Sequence, residues 1–265
     1  MQWDSIFLGE PTGATNDIPK VIYQTYHTKE LIPRKVEENF NKYAPQFQRY
    51  VYNDAECTEF IKQHFQAAVV ELYNLLEGPH RADLFRYAIM YIHGGVYIDI
   101  KTELMTPLIV TIPIESDRRK EGSRGVTYSV IALHDRRLYQ GFIASPPGNP
   151  IFLRLIFDFV LIAKPVEDYQ ISTKKFYQLI SDATQESVSP EIEKPFLLGG
   201  MNSVRTEGEK FDYYLLTEIN RPLAECYDGA DRYGFCCFIY REGAKHMKVR
   251  YSDYPWEINK KQDNI

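Results

Sequence analysis

The run from Gly78 to Leu104, GPHRADLFRYAIMYIHGGVYIDIKTEL, restricts the fold more than any other segment of the chain. Between Arg81 and His93 the apolar residues Leu84, Phe85, Ala88, Ile89 and Ile92 fall on one helical stripe, so a helix with a buried face is predicted. Gly94 and Gly95 end it, and Val96 to Ile100 (VYIDI) follows as a hydrophobic strand whose far end carries charge. In open α/β sheets ligands sit at strand ends, where side chains emerge into a crevice. If the strand continues, Asp99, Lys101 and Glu103 all face one side. A carboxylate fixed there can hold a hard divalent cation against a diphosphate through oxygen ligands.

The rest of the chain fits an α/β reading. Lys20 to Tyr26 has the β-branched and aromatic content of a first strand, and Pro33 opens a helix that stops near Pro45. Gln48 to Tyr52 is a second strand. Asn53 caps a helix running to about His64, with Glu56 three residues on completing a capping box. Val126 to Leu133 and, more weakly, Gly141 to Ala144 read as strands. Asn149 with Pro150 behind it begins a strong helix to about Ala163, and Ser172 is placed as the cap of another. Phe235 to Tyr251 reads as short strands around Gly243. Strands alternate with helices early and antiparallel pieces come late, so a mixed sheet with one nucleotide-binding half is expected. No internal repeat or linker is visible, and one domain is expected.

With 265 residues the chain can bury a substantial core. A net charge of -5 argues against non-specific nucleic-acid binding. The 20 tyrosines suit sugar-binding clefts, with an apolar ring and a polar tip, and equally suit half-buried strands. Cys57, Cys226, Cys236 and Cys237 match no common zinc spacing. Reduced thiols in a cytoplasmic compartment are expected, with a bond from Cys226 to one of the later pair as the alternative. Met1 to Asn16 lacks the features of a signal peptide and no transmembrane run occurs, which fits a bacterial or viral cytoplasmic protein if the numbering is native.

The pattern R-A-D-L-x-R-Y-x-x-x-Y-x-x-G-G-V-Y-x-D, from Arg81 to Asp99, resembles the sugar-binding region of glycosyltransferase family 32. That family includes yeast initiating α-1,6-mannosyltransferases and bacterial capsule enzymes, and the glucosylating clostridial toxins are more distantly similar. Ile18 to Tyr26 (IPKVIYQTY) is similar to the family's opening strand, and Gly141 to Pro150 (GFIASPPGNP) to its A-x-P-x-H-P stretch. The resemblance implies a GT-A type, Rossmann-like mixed sheet flanked by helices. Residues 18–155 would form the donor half, and 156–265 the acceptor side with a C-terminal lid. It implies a retaining transferase that moves a hexose from a UDP- or GDP-linked donor, UDP slightly favoured, to a glycan or other hydroxyl acceptor. Mn²⁺ or Mg²⁺ would sit on the diphosphate.

By resemblance, Asp83 and Arg86 contact the donor and Asp99 is the first acid of the DxD motif. The donor-side set also takes in Gln24, Thr25 and Tyr26 at the end of the first strand, with Tyr87, Gly200, His246 and Trp256. The second acid of DxD is replaced by Lys101. Either a late acid, Asp253, completes the metal site with Asp99, or Lys101 replaces the metal as a point charge on the diphosphate. A satisfied structural histidine is the alternative for His246. His134 and Asp135 are read as a solvated loop and Arg136 and Arg137 as a solvated face. The rival for the whole chain is a catalytically inactive relative that binds carbohydrate or nucleotide-sugar.

Overall fold

The computed structural model describes residues 6–11, 15–113, 122–132, 137–162, 171–184, 204–206, 208, 210–222 and 235–249. Strand β1 (Val21–Thr25) alternates its side chains between two apolar clusters, and the same alternation runs through the sheet. β1 pairs in parallel with β2 (Gln48–Tyr52) on one side and β3 (Gly95–Ile98) on the other. β3 is antiparallel to β6 (Arg137–Ser145), β6 to β5 (Val126–Ala132), and β5 is parallel to β8 (Asp212–Pro222). The sheet closes with β9 (Phe235–Arg241), β10 (Ala244–Val249) and β4 (Thr102–Leu104), while β7 (Val204–Thr206) pairs with β8. Among the described residues, nine strands of one mixed sheet thus run in the order β2-β1-β3-β6-β5-β8-β9-β10-β4, with β7 off that path as the tenth. With helices on both faces, this is a mixed sheet flanked by helices, as the resemblance implies.

Alternation decides what covers each face. Tyr97 points from β3 into a cluster with α2 (Asp54–His64), α3 (Ala67–Leu75), α4 (Gly78–His93), α6 (Pro150–Ile162) and α7 (Ile171–Thr184). Val96 and Ile98 point the other way, toward α1 (Arg34–Tyr43) and the short α5 (Leu108–Thr111). No helix among the described residues is long and apolar enough to cross a membrane.

Several elements start where their signals lie. The Asn53 carboxamide accepts from the Glu56 amide at 2.9 Å, and the Glu56 carboxylate accepts from the Asn53 amide at 2.8 Å. Asn149 caps α6 through the Ile151 amide. Other elements differ from expectation. α4 begins at Gly78 rather than Arg81, since Pro79 suits a first helical turn. α3 has no counterpart in the sequence reading, because its residues are apolar nearly all round and carry no single stripe. The guanidinium of Arg81 donates to the carbonyls of Tyr73, Asn74 and Leu76, which closes the end of α3. β8, also unexpected, is buried on both faces between β5 and β9 and so lacks the polar alternation of a half-exposed strand.

The chain leaves β3 at Ile98 rather than at Ile100. The Thr102 amide donates to the Asp99 carbonyl, so Asp99 to Thr102 is a turn and β4 a separate strand. Asp99, Lys101 and Glu103 therefore do not share one face of a continuous strand: Asp99 and Lys101 stay in the turn, and Glu103 pairs with Lys248 of β10. Ser172 lies inside the first turn of α7 rather than capping it.

Candidate functional site

The parallel strands β1, β3, β5 and β8 all run the same way, and a cleft of about 630 Å³ opens at their carboxyl ends. Thr25, Asp99 and Ala132 mark the ends of β1, β3 and β5 along its wall, and Glu218 of β8 joins them as the register partner of Ala132. This is where an open α/β sheet presents its ligand site, and the volume suits a small organic ligand.

The glycine pair delivers Asp99 there. Gly94 closes α4 with φ +63°, and a Cβ on it would meet the Ser145 carbonyl at 2.7 Å. Gly95 follows at φ +91° and lies against the Val21 carbonyl. The chain reverses there, so the middle of α4 comes to face the tip of β3.

Arg86 occupies that junction. Its Nη2 lies 3.3 Å from Asp99 Oδ1 and 3.5 Å from Asp83 Oδ1, its Nε donates to the Ala82 carbonyl, and its guanidinium stacks 4.7 Å from the centre of the Tyr97 ring. Burial opposes a charge on Arg86, but Tyr97, Asp99 and Asp83 outweigh it and hold its pKa above the ordinary arginine value. Asp83 Oδ2 accepts from the Ser172 hydroxyl at 2.8 Å and faces His80 Nδ1 at 3.6 Å. Two acids three and thirteen residues from one buried cation are thus both held against it. Asp83, Arg86, Asp99 and Lys101 all line the cleft.

On the far side of Asp99 stands Tyr139. Asp99 donates its amide to the Gly141 carbonyl at 2.8 Å, and a Cβ on Gly141 would clash with the Tyr139 hydroxyl and come 2.7 Å from Asp99 Oδ2. Burial, reinforced by Asp99, raises the Tyr139 pKa well above the usual tyrosine value, so it stays a neutral phenol.

The other expected residues divide. Thr25 and Tyr26 line the cleft, and the Thr25 hydroxyl meets that of Tyr97 at 3.0 Å. Gln24 does not line it: its amide donates to the Ile98 carbonyl and its oxygen accepts from Arg49, locking β1 to β3. Tyr87 is packed behind the cleft among Phe152, Phe159 and Phe176. His246 is not among the lining residues either. Its Nδ1 sits 2.8 Å from the Thr111 hydroxyl and 3.0 Å from that of Thr106, and burial followed by nearby Arg241 lowers its pKa. That is the structural histidine of the two alternatives. Asp253, Gly200, Trp256, His134, Asp135, Arg136 and the C-terminal lid lie outside the described residues. Arg137 is half-buried and lines the cleft, where a solvated face was expected.

Residues the sequence reading missed are Tyr139, Gln140 and Glu218, and the Asp83 contact of Ser172. Only Glu218 left a signal, as a lone carboxylate in a buried run, a placement that calls for explanation. Cys57 also reaches the wall, where burial pushes its thiol up to about 12 and so favours the protonated form. Cys57 and Cys237 are both buried.

Residues 32–119 match the family described as "Glycosyltransferase sugar-binding region containing DXD motif". The segment that builds this wall of the cleft thus resembles a DXD-type sugar-binding region. Its Asp83, Arg86 and Asp99 are the cleft residues just described. Over 142 residues the chain is 30% identical to a mannosyl phosphorylinositol ceramide synthase of Saccharomyces cerevisiae, covering 52% of this chain and 34% of that protein. It is 28% identical over 182 residues to an uncharacterized glycosyltransferase of Acanthamoeba polyphaga mimivirus, covering 66% of this chain and 69% of that one. An initiation-specific alpha-1,6-mannosyltransferase of Candida albicans is 27% identical over 167 residues, 55% of this chain and 43% of that protein. The chain thus spans about a third of the length of the yeast synthase that it matches. Among solved structures, the PaToxG glycosyltransferase superposes with a TM-score of 0.45 at 13% identity, over 69% of this chain and 75% of that one, a likeness too slight to bear on the chemistry.

Proposed function

We propose that this chain is a retaining glycosyltransferase that moves a hexose from a UDP- or GDP-linked donor to a hydroxyl acceptor. The observation that carries the reading is the Asp83–Arg86–Asp99 constellation, held rigidly at the wall of a strand-end cleft within a sugar-binding region. A carboxylate that keeps one edge toward the cleft can accept donor-sugar hydroxyls, and Arg86 fixes its orientation before the ligand arrives.

Bond breaking places negative charge on the departing diphosphate, and preorganised cations stabilise it best. Lys101, in the turn beside Asp99, lines the same cleft and would supply such a cation. In front-face retention the anomeric carbon–phosphate oxygen bond breaks and its electron pair stays on the phosphate. The acceptor oxygen bonds to the anomeric carbon from the same face and gives its proton to that phosphate oxygen. The protein's part is to align the two reactants, which is worth several kcal/mol by itself.

The resemblance also implies Mn²⁺ or Mg²⁺. Among the described residues no group of three His, Cys, Asp or Glu gathers as a metal cage. A hard cation shared with substrate phosphates needs only one or two carboxylates, however, and Asp99 in the cleft wall fits that demand. When bound, such an ion would neutralise part of the diphosphate charge.

Hydrolysis of UDP- and GDP-hexoses, with and without Mn²⁺, tests the reading in the wild type and in Asp99→Asn. Turnover that falls by orders of magnitude in a variant that still folds by circular dichroism supports it. Nucleotide binding without any turnover in the wild type would favour a non-catalytic binding protein instead.

A further inference from the structure

The cleft extends well past the donor constellation. From β3 the sheet runs β6, β5, β8, so β8 lies three strand spacings from the tip of β3, about 14 Å at the usual inter-strand distance. Within β8, level with the end of β5, is Glu218, 5% exposed and yet part of the cleft wall. Its register partner on β5 is Ala132, whose partner on β6 is Arg137. Residues opposite each other in a ladder share a face, so Arg137, Ala132 and Glu218 form one row across three strands. Two spacings, roughly 10 Å, separate the guanidinium-bearing and carboxylate-bearing strands, with only a methyl group between them.

All three line the cleft, and Tyr139 lies two residues along β6 from Arg137 on the same face. Tyr139 joins the two ends of the cleft electrostatically: both Asp99 and Glu218 raise its pKa after burial. The row offers an acceptor of hydroxyl protons at one side, a donor to hydroxyl oxygens at the other, a small floor, and an aromatic ring beside it. That is the chemistry of a polyhydroxylated ring with a C–H face.

Resting on the function proposed above, we propose that Glu218 and Arg137 bind the acceptor, a pyranoside, and that Glu218 positions its attacking hydroxyl. Asp83, Arg86 and Asp99 already flank the donor end, and a group about 14 Å away across the sheet is too far to hold the same hexose. Glu218 accepts a hydrogen bond and forms no covalent bond to sugar.

The test uses methyl α-D-mannopyranoside as the acceptor probe with the full chain and saturating UDP or GDP, followed by saturation-transfer NMR. Nucleotide affinity is measured in parallel by calorimetry. Wild type is expected to transfer saturation to the mannoside. Glu218→Gln is expected to weaken mannoside binding at least tenfold while nucleotide affinity stays within a factor of two. Should Glu218→Gln not fold by circular dichroism, Arg137→Gln at the cleft rim decides, with the same loss expected. Unchanged mannoside binding in the folded variant overturns the assignment, as does an equal loss of nucleotide and mannoside. So does a wild type that binds nucleotide but no mannoside. Absence of nucleotide binding by the wild type overturns the parent reading, a result distinct from all of these.

Discussion

The guanidinium of Arg86 donates to Asp99 Oδ1 at 3.3 Å and so ties the middle of helix α4 to the tip of strand β3. The same nitrogen faces Asp83 at 3.5 Å, and Arg86 keeps only 7% of its side chain exposed. Three charges in a tight space are tolerable only as a set. Removing the cation leaves two carboxylates that repel each other in a poorly solvated corner. Arg86→Ala is therefore expected to cost about 3–5 kcal/mol of stability, read from urea denaturation. Arg86→Lys should recover part of it, because a lysine cannot reach both acids with a planar fork. Equal stability of wild type and Arg86→Ala would contradict the account.

Lys101 stands where the motif ordinarily has its second acid. If it acts as a charge on the diphosphate, Lys101→Ala should weaken UDP or GDP binding about 10- to 100-fold, the worth of one charge-assisted hydrogen bond. Lys101→Asp should make binding depend strongly on Mn²⁺. Calorimetric titrations with and without the ion check both. Unaltered affinity in Lys101→Ala would remove the residue from the site.

Gly141 is the third probe. Its missing side chain is what lets Tyr139 and Asp99 close on the β6 backbone. Gly141→Ala has to displace one of them, at about 1–3 kcal/mol for overpacking. Nucleotide binding should fall more than stability does, because displacing either group disturbs the packing that orients Asp99. A melting curve and a titration on the same sample separate the two effects.

The sequence made the frame of the site legible and left much of its lining obscure. Asn53 with Glu56, Asn149 with Pro150 and the Gly94–Gly95 break are local signals, and local hydrogen bonds bear them out. Asp83, Arg86 and Asp99 were readable because motif and spacing lie in one continuous segment. Glu218, Arg137 and Tyr139 reach the same cleft from strands far apart in the chain, and their alignment depends on register, which no short window contains. The turn at Asp99 was missed for a similar reason. Alternation in VYIDIKTEL fits one long strand, but β4 leaves to pair with β10 at the opposite end of the sheet order.

His80 gives a pH prediction. The Asp83 carboxylate that faces it raises its pKa above the ordinary 6.5, against the effect of burial, and Glu77 adds to the rise. A raised folded-state pKa contributes stability that is full below the unfolded value and is lost as pH rises through the folded one. His93 and His246 run the other way, since burial lowers both, so their contribution is lost as pH falls. The difference between wild type and His80→Gln isolates the first effect. The wild type should hold an advantage near pH 5.5 that disappears by about pH 8. Thermal denaturation across that range reads it, and an advantage that grows with pH would contradict the assignment.

A crystal structure of the chain with UDP or GDP tests the central claim most directly. The account predicts the nucleotide in the cleft at the carboxyl ends of β1, β3, β5 and β8, with its diphosphate beside Asp99 and Lys101. A nucleotide bound elsewhere, with Asp83, Arg86 and Asp99 untouched, would contradict it.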